Sequence, residues 1–263
     1  MESSLETHSC KICGNKSIFF GQVDFNKHCE EVHSGKLPPS GIPVTYFRCT
    51  ACGFLFTRDF DAWSHADFGN RIYNAEYAFV DPDFAERRPA ANASYVTHNF
   101  GIHRKEIRVL DYGGGEGRMM DLLRAEGFRS VNTYDPFSSK HNVSDGQKYD
   151  LITAFEVFEH VPDPVATMRD ITKRLKPKSM LLFSTLLQPE DLAQTGLDWW
   201  YAGPRNGHIS LHSKLSLALL LKKFGLTLAS AHQGLHLGFG KLPSFAKGLM
   251  KQREAPPAAT PNA

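Results

Sequence analysis

Three groups of residues in this sequence are of types and spacings that do chemistry. In VLDYGGGEGRM, residues 109–119, an apolar run ends on Asp111 and is followed by glycine at alternate positions, Gly113, Gly115 and Gly117. Glycines let a strand turn straight into a helix. They also let the main chain approach a ligand where unpaired N–H groups point out of the helix start. Such a loop can hold a nucleotide-like cofactor; a glycine-rich turn without a ligand is the alternative. The second group is Cys10, Cys13, Cys49 and Cys52, two C-x-x-C pairs each followed by glycine. Four thiolates can converge on one tetrahedral ion and close its coordination sphere, which makes the ion structural and not catalytic. A competing set, Cys10, Cys13, His28 and His33, would leave the second pair without a purpose. The third group is a pair of candidate general bases, His160 and His208, histidine being the side chain that titrates near neutral pH. Glu156 stands close to His160 in EVFEH and could orient a cofactor or acceptor.

The G-x-G-x-G register, with an acidic residue two positions before the first glycine, departs from the G-x-G-x-x-G of dinucleotide sites. It resembles motif I of the class I S-adenosylmethionine-dependent methyltransferases. The resemblance implies that Asp111 and the glycines surround the methionine end of the cofactor. It also implies that Asp135, one βα unit later, takes the ribose hydroxyls, and that the Glu156–His160 segment lies across the cofactor. The paired cysteine knuckles resemble a zinc ribbon, with an insertion between them because the gap of 35 residues exceeds the usual spacing. Aromatic residues beside the knuckles, Phe19, Phe20, Tyr46, Phe47, Phe54 and Phe56, are expected to form its core.

The elements that position these groups follow from periodicity and punctuation. A strand over 107–110 feeds the glycine loop and a helix over 119–126 that Gly127 ends. A second strand, 131–134, closes on Asp135. Residues 136–149 are polar, turn-rich and too few for the helix and strand the methyltransferase pattern places there, which leaves Phe137 and Asp145 as weak candidates for adenine contacts. A buried strand over 149–155 follows, then a helix capped by Asp163 with Pro164 at its first position. A turn over 176–179 precedes a strand over 180–185. The aromatic run Trp199, Trp200 and Tyr201 falls in a loop, where acceptor recognition is expected, with plain packing as the alternative. A helix over 214–224 and two strands, 226–231 and 235–239, complete the pattern. The predicted fold is α/β: a Rossmann-like doubly wound sheet with a terminal antiparallel strand, preceded by a small zinc-binding module. The expected domains are a zinc-ribbon-like module over 1–60, a helical linker or lid over 61–104, the methyltransferase domain over 105–252 and a disordered Pro- and Ala-rich tail over 253–263.

With 41% hydrophobic and 22% charged residues the chain can bury a sizeable core. A formal charge of +2 suggests neither a nucleic-acid binder nor a membrane-surface protein. No run is long enough to span a membrane and no secretory signal opens the chain, so a cytoplasmic location is expected. The expected function is methyl transfer from S-adenosylmethionine to a small biosynthetic metabolite, nucleotide-linked sugars being one class the resemblance suggests, with zinc as a structural ion. An RNA methyltransferase reading RNA through its zinc module is the alternative, disfavoured because basic and acidic residues cancel over 1–60. A non-catalytic cofactor-binding protein is a third. The sequence shows no set of catalytic magnesium ligands and leaves the oligomeric state open.

Overall fold

The computed structural model describes residues 7–251 except 139, 141, 142, 144 and 145. Asp145 and the proposed tail lie outside the described residues. Eleven strands among the described residues form two sheets. The smaller, antiparallel sheet is ordered β1 (Thr7–Ser9), β2 (Lys16–Asp24), β3 (Pro43–Cys49), β4 (Leu55–Thr57) and then β9 (Ser210–Leu211). The larger contains β5 (Arg108–Tyr112), β6 (Ser130–Tyr134), β7 (Tyr149–Ala154), β8 (Leu175–Ser184), β10 (Thr227–His232) and β11 (Leu235–Phe239), ordered β10-β11-β8-β7-β5-β6.

Within the larger sheet β6, β5, β7 and β8 run parallel, and β11 and β10 add antiparallel at the β8 edge. This is the Rossmann-like mixed sheet expected, with β6 at its other edge. Among the described residues of 135–148 there is no helix or strand, and the third βα unit of the pattern does not appear among them. The strands are buried on both faces: Val109, Leu110, Leu151, Ile152, Leu181 and Leu182 are all fully inaccessible, as parallel strands covered by helices must be. Those covers are the helices Arg87–Phe100, Arg118–Ala125, Pro164–Arg174 and Lys214–Lys222. Asp163 caps the third of these by accepting from Val165 N and Ala166 N at 3.0 and 2.9 Å, with Pro164 in the first turn. The expected turn at 176–179 lies inside β8. Lys178 adopts φ +57°, and the ladder skips from Leu175 to Met180, so the four residues leave the register as a bulge.

The small sheet is not self-contained. Its β4 edge pairs with β9, Leu55 opposite Leu211 and Phe56 opposite Ser210. One apolar cluster joins Cys10, Ile12, Phe54 and Phe56 to Leu110, Phe158 and Phe183; another joins Tyr46 and Phe60 to Trp199 and Tyr201. Of the aromatic residues expected in the core of the small module, Tyr46, Phe47, Phe54 and Phe56 are buried, whereas Phe19 is exposed on the outer face of β2. Polar ties follow the same seam. Ser213 Oγ donates to Cys52 O at 2.6 Å, Gln188 Nε2 to Gly53 O at 2.8 Å, and Lys27 Nζ to the carbonyls of Trp199 and Ala202.

Candidate active site

The glycine loop leaves β5 at the C-terminal edge of the parallel strands, where open sheets of this kind take their ligands. Gly113, Gly115 and Gly117 have φ of +76°, +54° and +86°, and Gly117 is the left-handed residue from which the helix Arg118–Ala125 starts. Their surroundings differ. A Cβ on Gly113 would meet Val157 Cγ2 at 2.5 Å, whereas one on Gly115 would meet nothing within 4 Å. Gly114, which the alternating pattern passes over, would carry a Cβ 2.2 Å from Asp111 Oδ2. Asp111 therefore lies beneath the loop, buried, accepting from Thr153 Oγ1 at 3.1 Å. Burial pushes its pKa up to about 7, with Asp135 adding to the rise.

Asp135 follows β6 and ties the loop to it. Its Oδ2 accepts from Gly115 N at 2.9 Å and its Oδ1 from Phe137 N at 2.8 Å. Burial raises its pKa, and these two N–H groups oppose the rise. Each oxygen keeps a lone-pair direction for a hydroxyl. Phe137 is exposed, its ring against His65 and Tyr73 at 5.2 Å each.

Parallel pairing of β7 with β5 brings the segment after β7 to the same edge. Glu156 sits at φ +53°, a strained conformation for a residue with a Cβ. Ser184 on β8 holds it there, accepting from Glu156 N at 2.8 Å and donating to Glu156 Oε1 at 2.7 Å. Three residues on, Glu159 is completely buried. Its Oε1 accepts from Tyr201 OH, while its Oε2 has no partner among the described residues. Burial and the charge of Glu156 raise its pKa well above the usual carboxylate range. The carbonyl of Glu159 accepts from Ile209 N at 2.8 Å and Ser210 N at 3.0 Å, which pins the start of β9 beside it.

That pinning brings together the two candidate histidines, 48 positions apart in sequence. The rings of His160 and His208 stand 4.8 Å apart. Nδ1 of His208 lies 2.8 Å from Tyr201 O. A carbonyl can only accept, so Nδ1 carries the proton and Nε2 the lone pair. Nδ1 of His160 is buried without a partner among the described residues. Burial lowers the pKa of both rings to about 3. They are neutral lone-pair donors and weak proton acceptors, which departs from the general bases expected of unshifted histidines.

Some expectations change. Trp199 and Tyr201 are buried core residues, and only Trp200 of the aromatic run is half exposed. Packing therefore accounts for most of that loop. The alternative metal set is not assembled: His28 is buried with Nε2 2.9 Å from Gly35 O. The four paired cysteines do converge, Cys10–Cys52, Cys13–Cys49 and Cys13–Cys52 standing 3.6, 3.5 and 3.6 Å apart between sulfurs. Tetrahedral zinc with bonds of about 2.3 Å sets thiolates roughly 3.8 Å apart, so the cluster suits such an ion. Cys29, outside both expected metal sets and expected to be structural or at the surface, is buried with its Sγ 3.3 Å from His208 Nδ1. Nothing local signals a contact across 179 positions. Glu159, too, carries no local mark of burial.

Residues 84–231 match the family described as a methyltransferase domain, and the chain belongs to that family. Among curated proteins it is similar to ubiquinone biosynthesis O-methyltransferases. That of Neisseria meningitidis is 30% identical over 104 residues, 30% of this chain and 44% of that protein. That of Yersinia pestis is 28% identical over 128 residues, 38% and 53%. That of Histophilus somni is 39% identical over 54 residues, 20% and 23%. The chain thus spans about half or less of the length of these relatives. Among solved structures, an O-methyltransferase family protein from Burkholderia thailandensis superposes with a TM-score of 0.48 at 15% identity, over 70% of this chain and 64% of that one.

Proposed function

We propose that the protein transfers the methyl group of S-adenosylmethionine to a hydroxyl oxygen of a small biosynthetic metabolite. Family membership supports the cofactor, and the relatives named as ubiquinone biosynthesis O-methyltransferases support oxygen and a small acceptor. The observation that carries the reading is the juxtaposition, at one sheet edge, of a ligand-accessible glycine loop with two neutral histidines.

When bound, S-adenosylmethionine supplies an electrophilic methyl on a good leaving group. The residues here have four tasks. The open face at Gly115 admits the methionine end, and the free lone pairs of Asp135 take ribose hydroxyls. Glu156, held by Ser184, fixes the bend of the chain between cofactor and acceptor. His160 and His208 present lone pairs to the acceptor hydroxyl and align it for in-line attack. Cys10, Cys13, Cys49 and Cys52 hold a structural zinc ion, and a reducing, cytoplasmic setting keeps those thiols available.

Calorimetric titration with S-adenosylmethionine tests this reading. The parent should bind, and Asp135→Ala should weaken binding roughly tenfold or more, as expected for a lost charged hydrogen-bond acceptor. Absence of binding to the folded parent would refute it.

A further inference from the structure

A second concave site lies at the other end of the larger sheet from the glycine loop. β7 and β8 run parallel, so Lys148, just before β7, stands beside Lys176 and Lys178 in the bulge near the start of β8. β11 runs antiparallel to β8, which brings Lys241 to the same end. These four lysines line a cavity of about 540 Å³, and no carboxylate lines it with them. Phe224 and Leu226 line it too, partly buried and packed on the core, whereas Lys148, Lys178 and Lys241 are exposed. The cavity therefore has an apolar floor and a cationic rim.

The rim is not neutralised from within the chain. Lys176 Nζ donates to Asp150 Oδ2 at 2.6 Å, and Lys148 Nζ donates to the carbonyl of Lys173. The side chains of Lys178 and Lys241 have no hydrogen-bond or ion-pair partner among the described residues. Nor are the lysines needed to offset nearby helix ends. The helix Pro164–Arg174 carries Lys173 and Arg174 in its own last turn, and Lys214–Lys222 carries Lys222. Lys178 also adopts φ +57°, and the only other non-glycine residue at positive φ among the described residues is Glu156 in the candidate active site. Glycine takes this conformation without strain, and strained residues with a Cβ gather where a chain binds or reacts.

We propose that this groove binds a soluble organic phosphate, its anionic group held by Lys148, Lys178 and Lys241 and its apolar part resting on Phe224 and Leu226. Lysine ammonium groups serve phosphate as point charges, and a cavity of this size takes a small molecule. A lipid surface would call for the same charges on a projecting face, and here they surround a hollow. Six residues of β8 separate Lys178 from Ser184, which at about 3.3 Å each, less the bulge, puts the groove roughly 15–20 Å from the candidate active site. Its ligand is neither the methyl donor nor the acceptor, and the site does not depend on the methyltransferase reading.

The test is calorimetric titration of the full-length, zinc-replete protein with 1-naphthyl phosphate, with S-adenosylhomocysteine in excess to keep the probe from the glycine loop. The parent should bind one naphthyl phosphate per chain, more tightly than inorganic phosphate because the apolar floor adds to the charge. Lys178→Gly and Lys241→Gln should each weaken binding roughly tenfold, as for a lost charge-assisted hydrogen bond. The melting temperature of Lys178→Gly should not fall below the parent's, since glycine relieves the left-handed strain, so that weakened binding reports the lost ammonium group and not unfolding. No saturable binding by the parent would overturn the proposal, as would an affinity unchanged in both variants. It would equally be overturned if the parent ignored naphthyl phosphate yet bound vesicles of phosphatidylcholine and phosphatidate through Lys178 and Lys241, for the face would then serve a lipid surface.

Discussion

Gly113 and Gly115 both sit at positive φ two residues apart, yet replacing each with alanine should break different things. At Gly115 the new methyl meets no protein atom within 4 Å. The folded chain then bears only the cost of a left-handed alanine, about 1.5 kcal/mol, or ~5 °C in melting temperature for a chain of this size. The same methyl stands on the open face where the cofactor's methionine end is placed. Overpacking of about 1–3 kcal/mol there should weaken S-adenosylmethionine binding roughly 5- to 150-fold. At Gly113 the methyl would lie 2.5 Å from Val157 Cγ2. Overpacking then adds to the backbone cost, for a loss of about 3–4 kcal/mol and a melting temperature lower by ~10 °C. Thermal denaturation of the ligand-free variants, paired with calorimetric titration of each with S-adenosylmethionine at a temperature where it is folded, separates the two effects. Parent-like affinity in Gly115→Ala would show that the cofactor does not rest on that face. Equal melting temperatures for the two variants would show that the Val157 clash is relieved at no cost.

Asp111 should make ligand-free stability fall as pH rises. Burial raises its pKa to about 7, well above the ordinary carboxylate range, so the folded state holds the proton more tightly. The stabilisation is complete below pH 4 and lost as pH climbs through 7. Asp111→Asn, which cannot ionise, should gain roughly 3 kcal/mol relative to the parent between pH 5 and 8; urea denaturation across that range checks it, and a constant difference would contradict the buried-proton picture. Removing zinc with a chelator under reducing conditions should release one ion per chain. It should also abolish the cooperative melt, since a four-thiolate site contributes on the order of 10 kcal/mol of apparent binding free energy; an unchanged melt in the zinc-free chain refutes the structural role. Trp199→Ala, at a residue 6% exposed, should cost about 3–5 kcal/mol, whereas Trp200→Ala, at 50% exposed, should cost under about 1 kcal/mol. Chemical denaturation of both variants decides whether the aromatic run is divided between core and surface in this way.

The elements legible in the sequence are those whose signals are local. The glycine loop, the Asp163–Pro164 helix start and the final antiparallel pair all carry their punctuation within a few residues. That the stretch after Asp135 is too short for a full third βα unit could be counted from its length. What escaped depends on contacts between distant segments. β9 is two residues long and has no periodicity, so nothing in Ser210–Leu211 announces its pairing with Leu55 and Phe56. Glu159 falls in the segment expected across the cofactor, but its burial is not legible there because Tyr201 and the β9 backbone create it. His160 and His208 could be named, but their weak basicity could not, since it comes from tertiary desolvation.

The pairing of β4 with Ser210–Leu211 also bears on how the chain is synthesised. All four paired cysteines have been made once residue 52 is added, well before β9 is synthesised. The outer edge of β4 then waits unsatisfied until more than 150 further residues have been translated. Throughout that interval the nascent amino-terminal sheet presents an open hydrogen-bonding edge flanked by Leu55 and Phe56, a template on which neighbouring nascent chains can assemble. Completion of the methyltransferase domain is the event that closes it, so a translational stall before residue 210 would yield a product with an adhesive sheet edge.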